Sequence, residues 1–375
     1  MLRVPRGVYR IVMKEVYIDS NHELHNLCEQ LSTVTHICLD TEFMREKTYY
    51  SQLCLVQLAT ADQIACIDIL ALDQVDELLD VLYRDDICKI FHSGRQDMEV
   101  FADLRGRPMQ NVFDTQIAAS FLGLGEQVGY AALVKTELQV ELGKEHTRTD
   151  WSKRPLSSGQ LRYAADDVRY LMRLYEILTA RLSDLQRLSW VHEECRALSE
   201  PALYSKETDL VWHRVKNWQV LPSRALAYLK LLSIWRETRA QMANCPRRWV
   251  LDDQSMLNFA LAEPSQLERA SSFFPDKFWQ KHQSEIGAII QQVQAMPASE
   301  WPQAPQRQSL SSAQLTRLKR IQKAIKEKAA AMNVSASMLA RRADLESWVR
   351  GESPPNLRDG WRQQVLADIL LDEAG

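Results

Sequence analysis

The sequence predicts an α/β domain, a mixed sheet flanked by helices, followed by two small all-α bundles, and three observations carry that expectation. From Met13 to about Ile69 the pattern is strand-rich. It then alternates between strand and helix as far as about Leu198, which implies crossover connections and a sheet covered by helices. Beyond about Thr208 every periodic stretch is helical.

Length and composition bound the rest. At 375 residues the chain exceeds one ordinary core, and two or three domains are expected. Hydrophobic residues at 46% and charged residues at 25% describe a globular chain and exclude a disordered one. A net charge of −3 with a pI near 6.3 excludes a globally basic nucleic-acid wrapper and leaves local basic faces open. The seven cysteines form no Cys-x-x-Cys pair and read as buried thiols of a reducing compartment. No stretch is long and apolar enough to span a membrane. The basic start MLRVPRGVYRIVMKEV lacks the apolar run of a signal peptide, and Met13 is an alternative initiator, with residues 1–12 an upstream extension.

In chain order, Glu15–Ile18 reads as a short strand, and Ser20 or Asn21 caps a helix carrying Leu24, Leu27, Cys28 and Leu31. In the next stretch, THICLDTEF, Ile37, Leu39 and Phe43 alternate with Cys38, Asp40 and Glu42. Strands Gln52–Leu58 and Ile64–Ile69 follow around a polar turn, suggesting an antiparallel meander. A helix from about Asp73 to Tyr83, a strand Ile87–Phe91 and a helix from about Arg95 to Leu104 come next. Asp114 opens another helix as its cap. Ser157 and Gln160 have capping-box spacing, and Leu161, Ala164, Val168, Leu171, Tyr175 and Leu178 mark one continuous helix face.

Five residues on this scaffold carry chemistry. Period-2 alternation puts Asp40 and Glu42 on one strand face, roughly 7 Å apart. Two readings of the pair stand: a metal site whose cation offsets the crowded charge, or an edge strand with a wet polar face. Asp97 falls in the first turn of its helix, where the helix dipole favours an acid and where open α/β sheets also present ligands. Tyr163 and Asp167, four residues apart, lie at the border of their helix's apolar stripe, facing solvent or a cleft.

In this order and context, Asp40-x-Glu42, Asp97 and Tyr163-x-x-x-Asp167 resemble the three exonuclease motifs of the DEDD superfamily, in its tyrosine-bearing branch. The wording LDTEF, FHSGRQDMEVF and YAADDVRYL, with RTDWSKRPLSSGQ before the third motif, is similar to the ribonuclease D family within it. The resemblance implies a ribonuclease H-like sheet over residues 14–200 and a metal-dependent 3′–5′ exoribonuclease. Such an enzyme releases 5′-mononucleotides and trims the 3′ ends of tRNA precursors and other small structured RNAs. Four acids suit that chemistry, because two divalent ions roughly 3.5–4 Å apart hold both the attacking and the leaving oxygen. The ions implied are Mg²⁺ or Mn²⁺. By resemblance Asp40 bridges both, Glu42 and Asp167 bind the one that activates water, and Asp97 supports the site from the opposite side, largely through bound water. Tyr163 then orients the water, since a phenol with pKa about 10 is a poor base at neutral pH. Phe43 either packs against the terminal base or ribose or ends a buried strand, and His92 either reaches the site or is a satisfied structural histidine.

The helical half begins after a linker at about Glu200–Thr208. Leu226, Leu229, Leu232, Trp235 and Ala240 mark one helix face. Trp235-Arg236-Glu237-x-Arg239-Ala240 and PRRWVLDD at 246–253 resemble the opening of an HRDC domain, a small nucleic-acid-binding bundle, over 209–293. Phe273-Phe274-Pro275 departs from that pattern, where a glycine-containing loop is usual. A Pro-, Gln- and Ser-rich linker at about 294–314 leads to a second, HRDC-like bundle over 306–375, with Leu315, Leu318, Ile321, Ile325 and Met332 as its stripe. Lys319, Lys323 and Lys326 share another face, either a phosphate contact or simply the solvated side. Arg247 and Arg248 have the same two readings, while Trp348 and Trp361 are expected to fill the small core.

The expected protein is thus a cytoplasmic, monomeric exoribonuclease whose partner is RNA, chiefly tRNA precursors with 3′ extensions, with no membrane and no obligate protein partner. A 3′–5′ exodeoxyribonuclease and a non-catalytic nucleic-acid-binding protein are the alternatives. Deleting residues 209–375 is expected to weaken RNA binding and spare hydrolysis of a short oligonucleotide.

Overall fold

Runs of aliphatic and β-branched residues build a six-stranded mixed sheet in this computed structural model, which describes residues 13–143, 149–206, 208–262, 270–305 and 309–372. The strands are β1 (Lys14–Ile18), β2 (His36–Met44), β3 (Gln52–Ala59), β4 (Gln63–Asp68), β5 (Cys88–Phe91) and β6 (Val112–Asp114), in the order β1-β4-β3-β2-β5-β6. β3 and β4 are antiparallel, with Val56 opposite Ile67. The pairs β1–β4, β2–β5 and β5–β6 are parallel, with Cys38 opposite Ile90 and Ile90 opposite Phe113. β2 therefore lies inside the sheet, between β3 and β5, and the wet-edge reading of Asp40 and Glu42 falls. The sequence reading missed β6, because three residues are too few to show a period.

Helices α1 (Asn21–Gln30), α2 (Asp76–Leu82) and α3 (Arg95–Arg105) cover one face of the sheet. There Leu24, Leu79 and Met98 pack with Ile37, Leu39 and Phe91. Helices α4 (Thr115–Phe121), α5 (Tyr130–Leu138), α6 (Ser158–Arg169), α7 (Leu171–Asp184) and α8 (Leu188–Ala197) follow in the chain. They cover the other face, where Ala119, Leu133, Ala164, Val168 and Leu174 pack with Cys38, Ile90 and Phe113. The helix expected to run unbroken from Ser157 past Leu178 is two helices. Tyr170, at φ −104° and ψ −5°, is the C-cap of α6 and the N-cap of α7, and its N–H donates to the Tyr130 hydroxyl at 3.2 Å.

The chain divides into two compact units. One combines the residues up to Met44 with Leu53–Tyr204 and the segment from Ser309 onward; the other combines Arg45–Gln52 with Ser205–Gln308. The second unit is helical, with α9 (Ser223–Met242), α10 (Asp253–Leu261) and α11 (Asp276–Ala295). Its core joins Leu226, Leu229 and Leu232 to Met256, Phe259, Ile286 and Val293. The unusual Phe273-Phe274-Pro275 turn has a packing reason: Phe274 is buried 5.2 Å from the Phe259 ring, and Pro275 caps α11. Trp235 meets Phe278 edge-on at 5.7 Å.

The C-terminal helices α12 (Ser312–Ala331), α13 (Arg342–Val349) and α14 (Gly360–Asp372) belong to the first unit. Leu318, Ile321, Ile325 and Ala329 form the buried stripe of α12, whereas Leu315, expected on it, is exposed. Trp361 does more than fill a small core of its own. Only 2% exposed, it stacks on Trp190 of α8 at 5.1 Å and meets Phe121 of α4 edge-on at 5.1 Å. Its indole N–H donates to Glu194 Oε1 at 2.8 Å. All seven cysteines are free thiols, six of them buried. Among the described residues no helix is long and apolar enough to cross a membrane.

Candidate active site

β2 carries Asp40 and Glu42 on the Cys38 side, the face on which α6 packs. α6 starts with the expected capping box: Gln160 N–H donates to Ser157 Oγ at 3.2 Å, and Ser157 N–H to Gln160 Oε1 at 2.9 Å. Ala164, Ala165 and Val168 are buried against the sheet, and their small volumes leave Tyr163 and Asp167 half-buried along the stripe's border. The Tyr163 hydroxyl hydrogen-bonds to Asp167. The buried Trp151 ring lies 6.2 Å from that of Tyr163.

The RTDWSKRP block ties this region to the sheet. Arg154 donates to both carboxylate oxygens of buried Asp68 on β4, at 2.5 and 2.6 Å, and to the Cys54 carbonyl of β3 at 3.0 Å.

Asp97 is delivered by the turn between β5 and α3. Ser93 sits at φ +62°, and a Cβ added to Gly94 would lie 2.5 Å from Phe91 Cβ, so a larger residue there collides. Asp114 is the expected cap of α4, accepting from Gln116 N–H at 2.8 Å, and it does more. Its Oδ1 also accepts from Ser93 N–H at 3.0 Å and its Oδ2 from Gly94 N–H at 2.9 Å, which fixes the turn that presents Asp97. Asp97 is only 7% exposed, and Thr41, between the two strand acids, donates its hydroxyl to Asp97 Oδ1.

The four acids share one electrostatic field. Burial, then the charges of Asp97, Asp167 and Glu42, raise the Asp40 carboxyl well above the ordinary range. Burial, then the charges of Asp167 and Asp97, push Glu42 up to about 8. Burial takes Asp167 to about 7 against the hydrogen bond from Tyr163, and Asp97 to about 6 against that from Thr41. Burial and the charges of Asp167, Glu42 and Asp40 raise the Tyr163 phenol, so it stays protonated. Among the described residues no three His, Cys, Asp or Glu side chains close into a ready-made metal cage. The fit to hard divalent cations rests on the all-oxygen donor set and the negative charge crowded into it.

The remaining expected contacts lie elsewhere. Phe43 packs with Ile37 and Leu39 on the opposite face of β2 from Asp40 and Glu42. His92 spends both ring nitrogens inside the fold, Nδ1 on Thr115 Oγ1 and Nε2 on the Val128 carbonyl, each at 2.9 Å. Lys319 and Lys323 are exposed on α12, Lys323 beside Glu327 at 3.9 Å. The sequence reading did not single out Thr41, Trp151, Arg154 or the second role of Asp114. Asp68, a lone acid inside an apolar strand, was the available signal for the Arg154 clamp.

A family model described as 3′–5′ exonuclease matches residues 16–183. A ribonuclease D from Acidiphilium cryptum is 35% identical over 362 residues, covering 95% of this chain and 92% of its own. The chain belongs to the ribonuclease D family. A ribonuclease D from Shewanella sp. is 32% identical over 361 residues, covering 94% of this chain and 92% of its own. The crystal structure of Escherichia coli RNase D, an exoribonuclease involved in structured RNA processing, matches with a TM-score of 0.86 at 30% identity, covering 96% of this chain and 98% of that one. As a ribonuclease D-type enzyme the protein is a hydrolytic 3′–5′ exoribonuclease, and RNA is its substrate class. Its exonuclease family is divalent-metal dependent, and its helical C-terminal region is consistent with HRDC-type bundles.

Proposed function

We propose that Asp40, Glu42, Asp97 and Asp167 hold two divalent ions, Mg²⁺ or Mn²⁺, and that Tyr163 orients the attacking water. The observation that carries this is the shared upward displacement of the four carboxyls, a charge cluster that the protein does not neutralise by itself. When bound, the ions supply that neutralisation and lower the pKa of water. Asp40, central to the cluster, would be shared by both ions, with Glu42 and Asp167 holding the one that activates the water and Asp97 supporting the site from the other side. Tyr163 keeps its proton and therefore positions the water without acting as its base. Thr41 and Asp114 hold Asp97 in place.

The substrates proposed are the 3′ ends of tRNA precursors and other small structured RNAs, shortened by release of 5′-mononucleotides. Support comes from near full-length similarity to the Escherichia coli exoribonuclease. The two compact units would comprise three sequence modules, an exonuclease at 14–200 and HRDC-type bundles at 209–293 and 306–375, acting as a monomer. Lys319 and Lys323 stay in the proposal as phosphate contacts; Phe43 and His92 face the interior and do not. The seven free thiols support a cytoplasmic location.

The test is digestion of a 3′-extended tRNA and a matched single-stranded DNA with Mg²⁺, Mn²⁺ or chelator, resolved by length. Stepwise shortening of the RNA that stops under chelator is expected. Preferential shortening of the DNA would overturn the RNA assignment.

A further inference from the structure

The helical unit contains a cleft of about 580 Å³ whose wall is arginine-rich: Arg45, Arg214, Arg236, Arg247 and Arg248 line it together with Tyr49. One side is the loop 45–52, whose chain leaves β2 just after Met44, two residues beyond Glu42. The loop is clasped by the helices of its own unit. Tyr49 donates its hydroxyl to Glu237, and the backbone N–H groups of Tyr49 and Tyr50 donate to Asn244 Oδ1 at 3.0 and 3.1 Å. Glu237, 1% exposed, also takes a two-pronged contact from Arg247, with Arg214 at 3.6 Å.

Five arginines line the wall against three acids, Glu46, Glu237 and Asp253, so its charges do not cancel. Arg247 and Arg214 share Glu237, and Arg236 is held by Asp253 at 2.6 Å. Arg248 is exposed and has no ion pair among the described residues. A surplus of guanidinium groups, with Arg248 exposed among them, suits a phosphodiester backbone. Trp249, 57% exposed and next to Arg248, adds a flat face of the kind on which unpaired bases stack.

We propose that this cleft is a phosphate-backbone subsite that grips the single-stranded part of the RNA while its 3′ end is hydrolysed. This rests on the exoribonuclease reading. The test compares the full-length protein with Arg248→Ala, Arg248→Glu and Trp249→Ala, using a 3′-extended tRNA and an RNA dinucleotide. Arg248→Ala should lose about tenfold more efficiency on the long RNA than on the dinucleotide, with the loss in KM, and Arg248→Glu should lose more. Its salt dependence of binding should also weaken, by about 0.7 in the log–log slope for one lost phosphate contact. Unchanged affinity and slope would overturn the proposal, and so would equal losses on both substrates, which would mark the cleft as structural. Failure of the exoribonuclease reading shows separately, as a parent protein that binds the RNA with a normal salt slope and does not shorten it.

Discussion

The hydroxyl of Thr41 is bonded to Oδ1 of Asp97, so the residue between the two strand acids holds the helix-borne acid from the opposite face of β2. Thr41→Val keeps the shape and removes the bond. A lost hydrogen bond to a charged group costs about 1.5–3 kcal/mol, so kcat should fall roughly 10- to 100-fold and the melting temperature should drop by several degrees, leaving the protein folded at the assay temperature. Steady-state hydrolysis of an RNA dinucleotide beside a thermal melt checks this. Full activity in Thr41→Val would mean that Asp97 is placed by the Asp114-braced turn alone.

Asp40→Asn should separate function from stability. The carboxylate sits in the centre of the charge cluster, so turnover should fall by about 10²–10³-fold or more, the range for removing a preorganised charge from an active site. The same burial and repulsion make ionised Asp40 unfavourable in the fold, so the variant in chelator should melt no lower than the parent. A folded Asp40→Asn enzyme with parental turnover would remove that residue from the mechanism.

The cluster also sets a pH dependence whose sign follows from raised carboxyl values. Glu42 at about 8, Asp167 at about 7 and Asp97 at about 6 bind protons more tightly in the folded state than in the unfolded one. Stability from these groups is therefore lost as pH rises from about 4, the unfolded value, through the interval 6–8. In chelator the melting temperature should decline across that window, and added Mg²⁺ should restore more of it at the alkaline end. Glu42→Gln should flatten the decline nearest pH 8. A slope identical to the parent's would exclude Glu42 as a source.

What was legible in the chain follows the range of the forces involved. Asp40 and Glu42 share a face because strand periodicity is local, and the caps at Ser20, Asp114 and Ser157 are short-range chemistry. Thr41's bond to Asp97 spans 56 residues and depends on β2 and α3 meeting, which no local pattern encodes. The break at Tyr170 depends on Tyr130, 40 residues away. Linear boundaries also hid the loop 45–52, which sits inside the exonuclease sequence and folds with the helices after Ser205.

The same range of forces ties the C-terminal helices to the nuclease. A sequence cut at linear boundaries makes everything after residue 209 look removable, yet the segment from Ser309 folds with the nuclease and contributes Leu318, Ile321 and Trp361 to its core. Trp361→Ala loses the stack on Trp190 and the edge contact with Phe121, at a cost of about 3–5 kcal/mol, or roughly 10 °C for a unit of this size. Dinucleotide hydrolysis should be lost at that lowered temperature together with the helical signal, because core and C-terminal helices melt as one. Deleting residues 209–375 should then abolish hydrolysis of short and long substrates alike, by exposing the Trp190 and Phe121 surface. A truncated protein that melts like the parent and still cleaves the dinucleotide would show that α12–α14 only decorate the nuclease.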